Sequence, residues 1–264
     1  MEILIPIIIV AVIGLVAGVG LSLAAKFMSV PTDERQEKLR ECLPGANCGA
    51  CGYSGCDGYA AALAKGEATP DKCAPGGKDT ARALGEILGV SVTESEPKVA
   101  FIGCGATAEC AVTQYKYIGM KSCAAAAILS GGPLACEYGC IGFGDCANAC
   151  PFHAISLQNG RPVIDRDLCV ACGKCATVCP KHLIDLVPAK QKVLVNCSNL
   201  QKGAGVVKNC TVSCIGCGMC ERACESDAIH VVNNCAVIDY EKCTGCGKCK
   251  AACKRGAIIE NSCT

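Results

Sequence analysis

Twenty of the 28 cysteines in this 264-residue chain fall into five sets of four. The first is Cys48-x2-Cys51-x4-Cys56-x16-Cys73. The others come from segments of one repeating kind. They are Cys136-x3-Cys140-x5-Cys146-x3-Cys150-Pro151, Cys169-x2-Cys172-x2-Cys175-x3-Cys179-Pro180, Cys214-x2-Cys217-x2-Cys220-x3-Cys224 and Cys243-x2-Cys246-x2-Cys249-x3-Cys253. Three close thiolates on a tight loop can hold three irons of one Fe4S4 cube. In the bacterial C-x2-C-x2-C-x3-C-P run, the fourth cysteine closes the other cluster of a pair. The chemistry expected is one-electron transfer. Structural zinc also uses C-x2-C pairs, but it takes four ligands as two separated pairs, so a third and fourth cysteine per loop is surplus. A disulfide scaffold is short and secreted, which does not fit this length and periodicity.

Cross-ligation assigns the sets. Cys136, Cys140, Cys146 and Cys179 form one, and Cys150, Cys169, Cys172 and Cys175 the next. Cys214, Cys217, Cys220 and Cys253, then Cys224, Cys243, Cys246 and Cys249, form the last two. With Cys48, Cys51, Cys56 and Cys73 this makes five [4Fe–4S] clusters, all of their iron held by these cysteines. One position is odd: Phe143 stands where the second cysteine of a loop belongs. Cys136 is the nearest substitute, with Cys123 and Cys104 as alternatives, and Cys42 is a rival of poorer spacing for the first set. Cys104, Cys110 and Cys123 follow no standard spacing. Free cysteines of this kind behave as small buried hydrophobes; a sixth cluster drawing on them is the alternative. His153, His182 and His230 follow fourth cysteines closely and read as surface or packing residues. No flavin, NAD or Walker fingerprint and no Ser/His/Asp set is present, so no catalytic residue is assigned.

These loops must be carried by small elements. Aromatic residues are only 4% of the chain and Trp is absent, while Gly numbers 30. Such a chain wraps thin shells of Val, Ile and Ala around inorganic groups, whose binding supplies folding free energy. A net charge of +1 gives no reason to expect a nucleic-acid surface. The segments CVACGKCATVCPKHLIDL, CIGCGMCERACESDAIHV and CTGCGKCKAACKRGAIIE align without gaps, and CIGFGDCANACPFHAISL joins them. Their apolar tails read as short strands. Residues 57–65 and 79–97 read as helical, the latter with a loop. Ile3 to Ala25 is an uncharged run long enough for a transmembrane helix, and Lys26, Arg35, Lys38 and Arg40 after it place the remainder in the cytoplasm.

The fold expected is α+β, with a single N-terminal transmembrane helix (1–27) and a small, mostly helical [4Fe–4S] domain (28–97). A connecting region (98–135) leads to two bacterial 2[4Fe–4S] ferredoxin-like modules (136–189 and 190–264).

The apolar N-terminus, LPGANCGACGYSGC with its later cysteine, PLACEYGCIGFGDCANACPF and the tandem ferredoxin halves together resemble the B subunits of Rnf complexes, ion-translocating ferredoxin:NAD+ oxidoreductases. The likeness covers nearly the whole chain, and the module beyond Ala189 matches the longer forms. The absence of Pro after Cys224 and Cys253 departs from the ferredoxin signature. The resemblance implies a bacterial cytoplasmic-membrane location with the cluster domains on the cytoplasmic side. It also implies soluble ferredoxin as electron donor, and other Rnf membrane and flavin- and NADH-binding subunits as partners. Electron flow would be coupled to Na+ or H+ translocation. A membrane-tethered polyferredoxin without ion coupling, or a structural cluster-bearing adaptor, are the competing readings.

Overall fold

The computed structural model describes residues 4–27, 34–92 and 96–260, with the side chains of 4–10 and 24–27 excepted. Helix α1 (Leu4–Phe27) is built from the N-terminal apolar run. The transmembrane expectation for it is corrected: among the described residues no helix is long and apolar enough to cross a membrane.

A small helical body follows. Helices α2 (Glu34–Glu41) and α3 (Cys56–Ala64), a 3-10 turn at Pro70–Lys72 and α4 (Gly77–Leu88) close on Leu39, Leu43, Tyr59, Leu63 and Leu84. The α4 sequence buries Ala81, Leu84 and Gly85 at spacings of three and four, the stripe a helix needs to sit on a core. The Tyr59 hydroxyl donates to Thr69 O at 2.6 Å, tying α3 to the segment that returns towards Cys73.

Two ferredoxin units of the same topology complete the chain. In the first, β1 (Lys98–Ile102) leads through α5 (Cys123–Ile128) and α6 (Asp145–Asn148) to the hairpin of β2 (Ile155–Gln158) and β3 (Arg161–Ile164). Then α7 (Lys174–Thr177) and β4 (Ile184–Pro188) return to pair β4 antiparallel with β1, Lys98 opposite Pro188. The second repeats this. Strand β5 (Val193–Val195), α8 (Ala204–Asn209) and α9 (Met219–Arg222) precede the hairpin of β6 (Ile229–Val232) and β7 (Cys235–Ile238). Helix α10 (Lys248–Ala252) and β8 (Ile258–Glu260) follow, and β8 pairs with β5. Both hairpins turn through two residues of positive φ, Asn159-Gly160 and Asn233-Asn234, as a two-residue type I′ turn requires. Because β1 is half of a ferredoxin sheet, the segment expected as a connecting region is structurally part of the first unit. Val99, Val187 and Leu194, all nearly solvent-free, pack the two terminal sheets together, with Phe101, Tyr240 and Ile259 around them.

Candidate metal centres

Each ferredoxin loop ends in a helix of four or five residues that begins just after a left-handed glycine: Gly144, Gly173, Gly218 and Gly247. The turn aims the next cysteine inwards, and Cys146, Cys175, Cys220 and Cys249 are all buried. Two of the expected sets line one cavity each. Cys150, Cys169, Cys172 and Cys175 surround about 330 Å3 together with Phe152, Ala154 and Ile155. Cys224, Cys243, Cys246 and Cys249 surround about 310 Å3 with Val193, Ile229 and Ile238. Cys214, Cys220 and Cys253 share the apolar core of the second unit, and Cys217 lies within electrostatic reach of Cys220.

In the helical body Cys56 opens α3, its N–H bonded to Asn47 Oδ1 at 2.8 Å, and Cys73 closes the site after the 3-10 turn. Burial pushes the Cys73 thiol up, and Cys56, Cys48 and Cys51 add to the shift; Cys51, Cys56 and Cys73 also share the apolar core of this body. Cys42 instead packs at the end of α2, its N–H on Lys38 O.

The odd set differs from the expectation. Cys140, Cys146 and Cys179 line a cavity of about 400 Å3 whose fourth cysteine is Cys123, not Cys136. The cause is Asp145. Its Oδ2 accepts from Ser122 Oγ at 2.9 Å and from Ala124 N at 3.0 Å, clamping the start of α5 over the cavity. Burial works against the Asp145 carboxylate, but hydrogen bonds from Ala124, Cys123 and Ser122 outweigh it and hold its pKa below the usual value. Phe143, freed from ligation, lies against Tyr117 with ring centroids 5.6 Å apart. Cys136 has other company: after burial, the charges raising its pKa to about 11 are Cys104, Cys197 and Cys210. Sequence spacing ranks Cys123 only as an alternative to Cys136, because nearness along the chain favours Cys136 and the Asp145 clamp leaves no spacing signal.

The donors fit an iron–sulfur cube. Among the described residues no group of His, Cys, Asp or Glu converges closely enough for a single metal ion. A cube carries its irons at the corners and takes its thiolates further apart, around a body of cavity size. Burial raises Cys140 to about 12 and Cys146 and Cys175 to about 11, so these thiols must surrender protons to bind metal. Several sulfurs already accept hydrogen bonds: Cys169 from Ala100 N at 3.3 Å, Cys224 from Ala228 N at 3.4 Å and Cys243 from Gln191 Nε2 at 3.1 Å. Such bonds are one of the levers on cluster potential. The sets also neighbour one another: Cys48 opposes ionisation of Cys172, and Cys146 that of Cys175. The three histidines add no ligand set, and His230 is held by Glu221 at 3.1 Å on the surface.

Tandem dicluster ferredoxin units joined to a helical four-cysteine body define an iron–sulfur electron-transfer protein. Family comparisons agree. A family model for an Fe-S cluster matches residues 43–75, a 4Fe-4S dicluster domain matches 139–192, and a 4Fe-4S binding domain matches 212–230 and 236–259. The matched dicluster segment begins after Cys136. The chain is 45% identical over 241 residues to the B subunit of the Na(+)-translocating ferredoxin:NAD(+) oxidoreductase complex of Acetobacterium woodii, covering 91% of this chain and 72% of that protein. It is 40% identical over 234 residues to the B subunit of the proton-translocating ferredoxin:NAD(+) oxidoreductase complex of Clostridium ljungdahlii, covering 88% and 82%. To the B subunit of the ion-translocating oxidoreductase complex of Methanosarcina acetivorans it is 40% identical over 235 residues, covering 89% of each. The chain belongs to this family of B subunits of ion-translocating oxidoreductase complexes.

Proposed function

We propose that this chain accepts electrons from reduced ferredoxin and passes them towards the flavin- and NAD+-binding subunits of its complex. The observation that carries the reading is the contiguity of the cysteine sets: Cys140, Cys146 and Cys179 of one and Cys150, Cys169 and Cys175 of the next pack around a single apolar core. We assign five [4Fe–4S] clusters to the sets of Cys48, Cys51, Cys56 and Cys73; Cys123, Cys140, Cys146 and Cys179; Cys150, Cys169, Cys172 and Cys175; Cys214, Cys217, Cys220 and Cys253; and Cys224, Cys243, Cys246 and Cys249. Bound there, such clusters exchange single electrons without making or breaking a substrate bond. The side chains do the rest. Apolar walls such as Ile155, Ile229 and Ile238 exclude water, and Gln191 and backbone N–H groups stabilise negative charge on sulfur.

Relatives named for Na+ and for protons match this chain to nearly the same extent. That is expected if the ion is selected outside this chain. Ion translocation requires a membrane, and we place the cluster-bearing units on its cytoplasmic side, where ferredoxin and NAD+ are. The exposed apolar side chains of α1, among them Ile13, Leu15 and Leu21, form a surface that other subunits of the complex would cover.

The test uses the complex purified from native membranes. Reduced ferredoxin should drive NADH formation, and Cys172→Ala should abolish it while NADH oxidation by ferricyanide at the flavin subunits persists. Undiminished ferredoxin-driven NADH formation in Cys172→Ala would remove this chain from the route.

A further inference from the structure

Four cysteines outside those five sets come together where the two ferredoxin units meet, and their positions repeat. Cys104 lies two residues beyond β1, and Cys197 two residues beyond β5, the equivalent strand of the second unit. Cys136 precedes Cys140 by four residues, and Cys210 precedes Cys214 by four. Each unit therefore offers one cysteine from a strand exit and one from the approach to its first loop.

Hydrogen bonds between the units bring these cysteines together pairwise. Gly105 N donates to Asn196 O at 2.8 Å and Ser198 Oγ to Gly103 O at 2.8 Å, bracketing Cys104 and Cys197. Asn209 Nδ2 donates to Ala135 O at 3.2 Å, and Val112 bridges the same two residues through its own N–H and C=O, bracketing Cys136 and Cys210. Cys104, Cys197 and Cys210 are the thiols that surround Cys136 electrostatically. The symmetry extends to the sulfurs: Cys104 Sγ accepts from Cys140 N at 3.4 Å and Cys197 Sγ from Cys214 N at 3.3 Å.

Two arginines add positive charge at the same place. Arg161 donates to Gly105 O and Asn196 Oδ1, and Arg255 to Cys210 O at 2.7 Å. The Nε of each is buried and, among the described residues, has no hydrogen-bond partner. Packing thiols need neither repeated offsets nor paired buried cations. A cluster held by four thiolates carries net negative charge in either redox state, and would draw on both.

We infer that Cys104, Cys136, Cys197 and Cys210 hold a sixth [4Fe–4S] cluster, shared between the two ferredoxin units. It lies between the Cys140 and Cys214 sets, joining two otherwise separate dicluster units. Cys110, bonded to Thr107, and Cys235, whose thiol donates to Cys197 O at 3.1 Å, stand beside it as non-ligands.

The test is metal content of the full chain, reconstituted without oxygen, and needs no partner protein, so it stands or falls apart from the ferredoxin reaction. Wild type should hold about twenty-four irons with matching sulfide. Cys136→Ala and Cys210→Ala should each lose about four, and the double variant the same four, because both serve one cluster. Cys110→Ala and Cys235→Ala should lose none. A wild-type content of about twenty irons, unchanged in Cys210→Ala, overturns the proposal. Should the variants fail to fold, alkylation of the unmodified protein decides. Half-buried Cys136 and Cys197 should resist iodoacetamide until iron is chelated, and labelling of either in the iron-loaded protein overturns the assignment.

Discussion

At the scale of single residues, one carboxylate decides which cysteine completes a site. Asp145 opens α6 and simultaneously clamps Ser122 and Ala124, so Cys123 reaches the cavity that Phe143 cannot serve. Cys123→Ala should remove about four irons or leave a [3Fe–4S] form with its own EPR signal. Adding Phe143→Cys to that variant should restore the lost iron, because position 143 is the standard ligand position of the loop. Failure of that rescue, with Cys136→Ala in its place abolishing the same signal, would return the fourth ligand to Cys136. The clamp itself is testable. Hydrogen bonds to a charged acceptor contribute about 1.5–3 kcal/mol when well shielded, and Asp145 is only partly buried. Asp145→Ala should therefore speed iron release from this site to a chelator by about tenfold, which corresponds to 1.4 kcal/mol. Because its folded pKa is depressed, the clamp is fully present above the ordinary carboxylate range and weakens only as pH falls through the lowered value. The Asp145→Ala protein should lack that acid-dependent step in iron release.

Elements explain how much could be read in advance. The loops were legible because ligand spacing and the glycine before each short helix are local, and the tails at Ile184, Ile229 and Ile258 do form strands. The Lys98–Leu134 segment was not legible as part of a ferredoxin unit. Its role rests on pairing with β4, more than eighty residues away, and on a hydrogen bond from Ser122 to Asp145. Neither leaves a period in the sequence. The transmembrane reading rested on counting uncharged residues along the run, and among the described residues no helix is long and apolar enough to cross a membrane. Another element-scale contact recurs in both units: the first loop lies on the turn of its own hairpin. A Cβ at Gly142 would fall on the Gly160 carbonyl, and one at Gly216 would come within 2.9 Å of Asn234 O. Both glycines also have positive φ, 84° and 64°. Gly142→Ala should cost about 2–4 kcal/mol, combining left-handed strain with displacement of the hairpin. Gly160→Ala, which meets no atom within 4 Å, should cost only about 1–2 kcal/mol of strain. Thermal unfolding of the iron-loaded proteins ranks them, and equal midpoints would mean that loop and hairpin do not press on one another.

For the molecule as a whole, the question is whether α1 belongs to the iron-binding body or to the complex around it. Every assigned ligand lies at Cys48 or beyond, and among the described residues no apolar core contains a residue of α1. Its described side chains are exposed, Leu15 by 69% and Leu21 by 72%. Leaving such side chains in water is unfavourable by about 1.5–3 kcal/mol each relative to burial, so several together provide ample drive for association. Removing residues 1–27 should then leave a protein with unchanged iron, unchanged visible absorbance and the same bleaching by dithionite. The same truncation in the native organism should leave the chain unable to co-purify with the other subunits of the complex. The two readouts separate the possibilities. Loss of iron on truncation would make α1 a support of the cluster-bearing body. Retention of both iron and the complex would shift the contact to the ferredoxin units, whose exposed Ile118, Met120 and Ile128 are the next apolar surface available.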